Sequence, residues 1–287
     1  MHSVALLNRE RIYPIAKTIA KNLDFIDLLE ERDFQYAAVK KILLLTNDLI
    51  DAAYVIVGTA SVSYMLSMKG EKHWLLLVDY AKKMPGHSAT AILWKFVEES
   101  PSLTRFRSNK LKRIRKLQEN YSIFRQEFDT FVKDFNSLRK YLASTYRAGV
   151  DDKTIVFAVK MFYYVLKAYN IKTRIPFDIP IPVDHRISLV SLTSGLIEAP
   201  VEDYSKYANV LRTKYSKLVR SAWGEVSRQS QIPALRIDSP LWIIGGIIEN
   251  SSYNYSRLLI ELEKFIRVKP KPSWIELIDE LVYKLYQ

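Results

Sequence analysis

The 287-residue sequence contains no cysteine, which excludes disulfide bridges, cysteine-ligated zinc and cysteine-held iron–sulfur clusters. Its four histidines do not have the spacing of metal ligands. Glycine and proline are scarce, at 8 and 11 residues, and no alternating strand pattern extends beyond a few residues. Together with 48% apolar residues, these absences predict a globular, all-α protein that can bury a substantial core.

The sequence also lacks a long uninterrupted apolar run. Its most apolar window, residues 49–68, contains Asp51 and is interpreted as a buried pair of helices rather than a membrane span. Near the N-terminus, Arg9, Arg11 and Lys17 interrupt the apolar residues, so no signal peptide is expected. These features favour a cytoplasmic protein without a membrane partner.

Acidic residues are fewer than basic ones: the sequence has 31 Asp and Glu but 43 Lys and Arg, which gives a formal charge of +12. Nucleic acid is the commonest partner of such a chain, although a lysine-rich proteome would give the same total. The densest basic run, residues 105–116, holds seven cations and no acid. Phosphate contact, for example by Arg113 and Arg115, and a solvated helix face both explain this run. One long helix is predicted after it, to about Ser144.

The most informative stretch is residues 149–186. Its helix, predicted over about residues 151–169, carries Lys153, Phe157 and Lys160 at spacings i, i+4 and i+7 on one face. The unpaired N–H groups at a helix N-terminus carry partial positive charge, which in a dry environment favours the neutral, nucleophilic amine of a lysine. A solvated lysine after an aspartate N-cap is the alternative interpretation.

The second half of this stretch is stiffened by Pro176, Pro180 and Pro182, which hold the backbone extended. It places Asp184 where the N-cap of the next helix is expected. Capping alone would explain an aspartate there. Because Lys153 and Asp184 are far apart in sequence, only the tertiary structure could bring them together.

Gly-Val-x-x-Lys at residues 149–153, followed by Pro-Val-Asp at residues 182–184, resembles the helix-hairpin-helix DNA glycosylase superfamily. The proline run resembles more narrowly the archaeal 8-oxoguanine DNA glycosylases. The resemblance implies two helical lobes around a DNA-binding cleft, which form a single glycosylase domain over residues 1–287. The hairpin and catalytic segment would lie at about residues 138–186.

The same resemblance implies an activity, namely excision of 8-oxoguanine from double-stranded DNA and cleavage of the strand at the abasic site. It also implies a monomer that needs no metal or organic cofactor. Lys153 matches the catalytic lysine of the family and Asp184 its catalytic aspartate. Further residues match positions that line the base pocket, namely Gln35, Trp74, Phe157, Lys160, Asp238 and Trp242.

Each pocket residue also has a structural interpretation. Trp74 and Trp242 could be core residues, because buried tryptophan is common. Gln35 could lie on the surface near a helix start, and Phe157 could simply pack against its neighbours. Asp238, which precedes Ser-Pro, has the pattern of an N-cap for a helix that begins there.

One departure from the superfamily pattern concerns phosphate binding. Superfamily hairpins have a second glycine where this chain has Asp151, and their backbone N–H groups hold a DNA phosphate. The resemblance therefore makes Gly149 a candidate phosphate contact, which the nearby negative charge of Asp151 opposes. Two other functions remain open on the residues alone: a non-catalytic helical nucleic-acid-binding protein, and a glycosylase of this superfamily that acts on another damaged base.

Overall fold

Short helices separated by polar caps and tight turns make up the part of the chain that the computed structural model describes, residues 4–286. The elements in chain order are β1 (Leu6–Leu7), α1 (Ile12–Lys21), α2 (Leu23–Arg32), α3 (Phe34–Leu43), α4 (Leu49–Val62), α5 (Gly70–Lys82), α6 (Ala89–Glu99), α7 (Arg107–Glu119), α8 (Tyr121–Gln126), α9 (Phe128–Lys133), α10 (Phe135–Tyr146), α11 (Lys153–Ala168), α12 (His185–Thr193), β2 (Ile197–Glu198), α13 (Tyr204–Lys214), α14 (Ser216–Ser230), α15 (Ala234–Asn250), α16 (Tyr255–Ile266) and α17 (Pro272–Leu281). Short 3-10 helices cover Arg9–Arg11, Pro101–Leu103 and Tyr283–Leu285. The structure is 72% helical, which confirms the all-α prediction.

The chain divides into two compact units. The first unit comprises the described residues up to Asp33 together with those from Phe177 onward. The second unit is the continuous segment Phe34–Pro176. Across residues 4–286, none of the helices has both the length and the apolar character needed to cross a membrane.

In the second unit, α4 and α11 form the centre of the core. Almost every residue of α4 is buried, because α3, α6, α7 and α11 all pack against it. Gly58 allows the close approach of α6, since a Cβ there would lie 2.3 Å from Leu93 Cδ2. The predicted helix pair at residues 49–68 is therefore wrong: one helix ends at Val62, and residues 63–69 form a connection.

The long helix predicted to end near Ser144 is also wrong, because the chain turns twice and forms α8, α9 and α10. Asp134 makes the second turn by accepting a hydrogen bond at Oδ1 from the N–H of Asn136, at 2.9 Å. The turns gather aromatic rings around Phe124, with centroid distances of 5.7 Å to Phe131 and 6.1 Å to Tyr141. One straight helix could not bring all three of these rings together.

In the first unit, α12 packs against both α13 and α15. The buried indole of Trp223 supports this arrangement by donating a hydrogen bond from Nε1 to Ser191 Oγ, at 2.8 Å. β1 and β2 form a two-residue antiparallel pair, with Leu6 opposite Glu198. The N-terminus of α12 and the adjacent part of α15 carry the residues predicted to be functional in this unit.

Candidate active site

Lys153 lies in the first turn of α11, as the sequence predicts, although the helix begins at Lys153 itself and not near Asp151; its side chain is exposed. The preceding helix α10 ends at Tyr146, and Arg147 adopts a left-handed conformation with φ of 53°. The segment α10–turn–α11 is therefore a helix hairpin that presents Lys153 at its tip. Because the lysine is exposed, the protein alone does not enclose it away from water.

The hairpin turn is closed by its own side chains. Asp152 occupies the N-cap position of α11, but its side chain makes no capping bond to that helix. Its Oδ2 instead accepts a hydrogen bond from the N–H of Gly149, at 3.0 Å. A DNA phosphate at Gly149 would have to displace this carboxylate.

Arg139 of α10 compensates the negative charge of Asp151, the residue that replaces the second glycine of the superfamily hairpin. Its guanidinium forms an ion pair with Asp151, and its Nε donates to the carbonyl of Val150 at 3.1 Å. The arginine is 8% exposed. Sequence reasoning did not identify this residue, because no local pattern links an arginine in the first hairpin helix to an aspartate in the turn.

Gln35 and Lys160 meet inside the second unit. Lys160 Nζ donates a hydrogen bond to Gln35 Oε1 at 3.1 Å, and both side chains are buried. The ammonium also lies 5.1 Å from the ring centroid of Tyr164 and 5.9 Å from that of Phe157. Cation–π attraction to these rings stabilises the buried charge. The interpretation of Gln35 as a surface residue is therefore wrong.

Trp74 and Phe157 complete the group of predicted pocket residues in this unit. Their ring centroids are 6.2 Å apart, and the rings meet edge to face at 68°. Trp74 is 2% exposed, whereas Phe157 is half-buried. Helices α3, α5 and α11 thus bring together four residues that are widely separated in sequence: Gln35, Trp74, Phe157 and Lys160.

Asp184 is the N-cap of α12, as predicted. Its Oδ1 accepts a hydrogen bond from the N–H of Ile187 at 3.0 Å, and its backbone is extended. The proline segment before it is held by Ile179, Ile181 and Val183, which are all buried in alternation with the prolines. This anchoring fixes the position of the carboxylate in the first unit.

Asp238 and Trp242 lie four residues apart on α15, so their side chains share one face of the helix. Asp238 is 3% exposed, whereas Trp242 is half-buried. The interpretation of Asp238 as an N-cap is wrong, because α15 begins at Ala234 and continues through Pro240. The buried apolar face of the helix, which includes Leu235, outweighs the cost of an internal proline.

The basic run of residues 105–116 is not a simple solvated face. Lys110 is fully buried on α7, with its Nζ 5.0 Å from the ring of Tyr64, and burial lowers its pKa to about 8. Arg113 donates to Thr154 Oγ1 at 2.9 Å, and its guanidinium lies 4.2 Å from the ring of Tyr146. These two cations therefore serve the packing of the second unit.

The more exposed cations of residues 105–116 make few contacts within the protein. Arg107 donates to the carbonyl of Ser100 at 2.7 Å, but Lys112 and Arg115 are exposed. The guanidinium of Arg115 lies 5.7 Å from the ring of Trp94, which leaves its N–H groups accessible. Lys112 and Arg115 are therefore better placed than Arg113 to meet a phosphate.

The sequence matches the family model described as AGOG: N-glycosylase/DNA lyase over residues 16–272. An N-glycosylase/DNA lyase from Nanoarchaeum equitans is 32% identical over 191 residues, which are 66% of this chain and 73% of that protein. Another, from Pyrobaculum aerophilum, is 29% identical over 221 residues, which are 77% of this chain and 80% of that protein.

The fold is similar to the crystal structure of Pa-AGOG, an 8-oxoguanine DNA glycosylase from Pyrobaculum aerophilum, in complex with 8-oxoguanosine. The TM-score is 0.72 at 24% sequence identity, and the match covers 95% of this chain and 97% of that chain. The family model extends over most of the sequence and includes both the helix hairpin and the α12 aspartate. This chain belongs to the AGOG family of N-glycosylase/DNA lyases.

Proposed function

We propose that this enzyme excises 8-oxoguanine from double-stranded DNA and then cleaves the strand at the abasic site. The observation that carries the proposal is the meeting of Gln35, Trp74, Phe157 and Lys160 in one unit. A buried amide bonded to a lysine that lies beside aromatic rings suits a flipped base, which needs stacking surfaces and polar partners for its edge.

Lys153 is the nucleophile in this proposal. After the lesion leaves the duplex, the neutral amine forms a bond to C1′ as the glycosidic bond breaks, and the departing base takes the electron pair and a proton. Opening of the sugar ring gives a Schiff base. Loss of a proton from C2′ then expels the 3′ phosphate by β-elimination. Because Lys153 is exposed in the protein alone, bound DNA would have to exclude water from it.

Asp184 supports this chemistry as a carboxylate. It would stabilise the positive charge that develops on the sugar and assist the proton transfers. Its hydrogen bond from the N–H of Ile187 fixes one carboxylate oxygen, which leaves the other oxygen for the substrate. One residue thus caps α12 and serves the reaction.

The choice of base rests on the remaining residues that the family resemblance assigns to the base pocket. Trp242 would stack on the flipped base, while Asp238 receives one of its N–H groups. 8-oxoguanine differs from guanine by a hydrogen on N7 and an oxygen on C8, so selection needs an acceptor for the N7 hydrogen. Gln35, Asp238 and a backbone carbonyl all remain candidates, since an amide oxygen that already accepts from Lys160 can accept a second bond.

The two compact units form one glycosylase domain in this proposal, with the hairpin and catalytic segment at about residues 138–186. The enzyme acts as a monomer on DNA in the cytoplasm, associated with the nucleoid. Exposed cations such as Lys112 and Arg115 would contact the phosphate backbone, and Gly149 would do so only after release of Asp152.

Borohydride trapping tests the assignment of Lys153. The wild-type enzyme, incubated with an 8-oxoguanine duplex and borohydride, should give a covalent adduct, because reduction fixes the Schiff base. Lys153→Gln should give none while still binding the duplex. Lys172→Gln is the matched control, because Lys172 is also exposed and follows the same helix.

Each outcome of this experiment has a definite meaning. An adduct with Lys153→Gln would assign the Schiff base to another amine. Excision of a different damaged base in preference to 8-oxoguanine, in a panel of lesion duplexes, would favour the alternative of another substrate within the superfamily. Membership of a lyase family argues against the alternative of a non-catalytic binding protein.

A further inference from the structure

Two consecutive glycines of α15, Gly245 and Gly246, lie against Arg186 of α12. A Cβ on Gly245 would lie 2.8 Å from the Cβ and 3.0 Å from the carbonyl oxygen of Arg186. A Cβ on Gly246 would lie 2.9 Å from its Cζ. Glycine in a helix interior costs stability relative to alanine, so its presence twice here requires a compensating contact. That contact is Arg186, whose backbone and Cβ lie against Gly245 and whose guanidinium lies against Gly246.

The guanidinium of Arg186 ends over an aromatic ring. Its Cζ lies 4.0 Å from the ring centroid of Trp242, one turn before the glycines on α15. At this distance the cation and the ring attract each other. A planar guanidinium can also stack on an indole, which a lysine ammonium cannot do. The contact covers one face of the Trp242 ring, which is half-buried.

Glu249 holds the other side of the guanidinium. Its Oε2 accepts from Arg186 Nε at 3.4 Å, and its Oε1 lies 3.1 Å from His185 Nε2. Burial raises the pKa of Glu249, but the hydrogen bond from His185 and the charge of Arg186 outweigh this effect and lower it overall. The ionised carboxylate therefore fixes both residues that follow Asp184.

We propose that Arg186 is a positioning residue for the base pocket, which holds the Trp242 ring in the orientation that stacks on the flipped base. Gly246 provides the space for its guanidinium, Gly245 allows its backbone to approach α15, and Glu249 accepts a hydrogen bond from its Nε. The inference about stacking rests on the proposed function. The inference that Arg186 orients the indole rests on the contacts within the first unit alone.

Gly246→Ala is the most selective perturbation. The new methyl group meets only the end of a flexible side chain, so the guanidinium can move away from Trp242 while the backbone stays in place. Gly245→Ala would instead collide with the backbone of Arg186 and force α12 from α15. Gly224→Ala is the matched control, because its Cβ has ordinary contact with Arg228, at 3.6 Å, within another helix.

The first measurement is independent of activity. The chain has five tryptophans, so the indole N–H signals in a nitrogen–proton correlation spectrum can be assigned with Trp242→Phe. We expect the Trp242 signal to shift in Gly246→Ala and in Arg186→Gln, with the other indole signals unchanged. Gly224→Ala should leave all of them in place. An unmoved Trp242 signal in both variants would refute the positioning role, whatever the enzyme acts on.

The second measurement concerns the reaction. Single-turnover excision of 8-oxoguanine by Gly246→Ala should fall by about tenfold because the indole loses its fixed orientation. The melting temperature should change little, because the helix propensity gained from alanine offsets the lost cation–π contact. In a Trp242→Ala background, Gly246→Ala should have no further effect, because the ring that Arg186 positions is gone. Equal effects in both backgrounds would overturn the inference and assign Arg186 an independent role, such as phosphate contact. Absence of excision by the wild-type enzyme would refute the proposed function and leave the spectral test valid.

Discussion

Asp184 has two separable roles, a structural one as helix cap and a chemical one as carboxylate. The cap is a single hydrogen bond of 3.0 Å from the N–H of Ile187. Its loss in Asp184→Ala should cost about 1 kcal/mol, which lowers the melting temperature of a protein of this size by about 2–4 °C. Asp184→Asn keeps an oxygen in the same place, so its stability should match the wild type within about 0.5 kcal/mol.

The activity of the two variants should not follow their stability. If the negative charge stabilises the transition state, both variants should lose single-turnover excision by about a hundredfold or more, which corresponds to about 3 kcal/mol. Thermal melting and quenched-flow excision on the same protein preparations check the two effects. Asp184→Asn that melts and cuts normally would show that Asp184 is only a cap.

The same unit contains a matched control for this experiment. Asp203 caps α13 with a hydrogen bond of the same kind and length, accepting at Oδ1 from the N–H of Lys206 at 3.0 Å. Asp203→Ala should therefore lose about as much stability as Asp184→Ala, but excise the base at the wild-type rate. A comparable loss of activity in Asp203→Ala would mean that fraying of a helix in the first unit, and not loss of charge at Asp184, slows the reaction.

Two further predictions concern the basic run of residues 105–116. Lys112→Gln combined with Arg115→Gln should weaken binding of damaged and undamaged duplexes alike and lower the slope of log K against log salt by about 1 for each lost contact; an unchanged slope in a binding titration would place α7 away from DNA. Lys110 is buried, and its Nζ has no hydrogen-bond partner among the described residues. Its pKa is lowered to about 8 from 10.5, so below pH 8 the folded state bears the cost of a buried charge, which disappears as the pH rises from 8 to 10.5. Lys110→Met should be more stable by about 1–3 kcal/mol in urea unfolding below pH 8, and this difference should shrink up to pH 10.5; a difference independent of pH would show that the ammonium is not desolvated.

Local sequence determined the features that rest on local hydrogen bonds and on periodicity. The 3.6-residue pattern places α11 within two residues of its predicted start, and the extended proline segment ends at a true N-cap, Asp184. Both depend on residues within one or two turns of each other, so the chain encodes them without knowledge of the rest of the fold.

Tertiary packing decided the places where local rules compete. Asp238-Ser-Pro has a strong capping pattern, but burial of the apolar face of α15 keeps the helix continuous through Pro240. The phenylalanines after the basic run have helical spacing, but their packing around Phe124 breaks the helix into three. In both cases the apolar area buried against other helices exceeds the cost of departing from local preference.

The site shows the same division. The family resemblance identified Gln35 and Lys160 as pocket residues. Their 3.1 Å contact could not be predicted, because it joins α3 to α11, which are separated by most of the sequence of the second unit. The stacking of Arg186 on Trp242 likewise depends on the space above Gly245 and Gly246, where α12 and α15 cross. Sequence determines which groups a chain possesses and which helix face carries them, whereas only the packing of helices determines which groups meet, because that meeting depends on distances between segments remote along the chain.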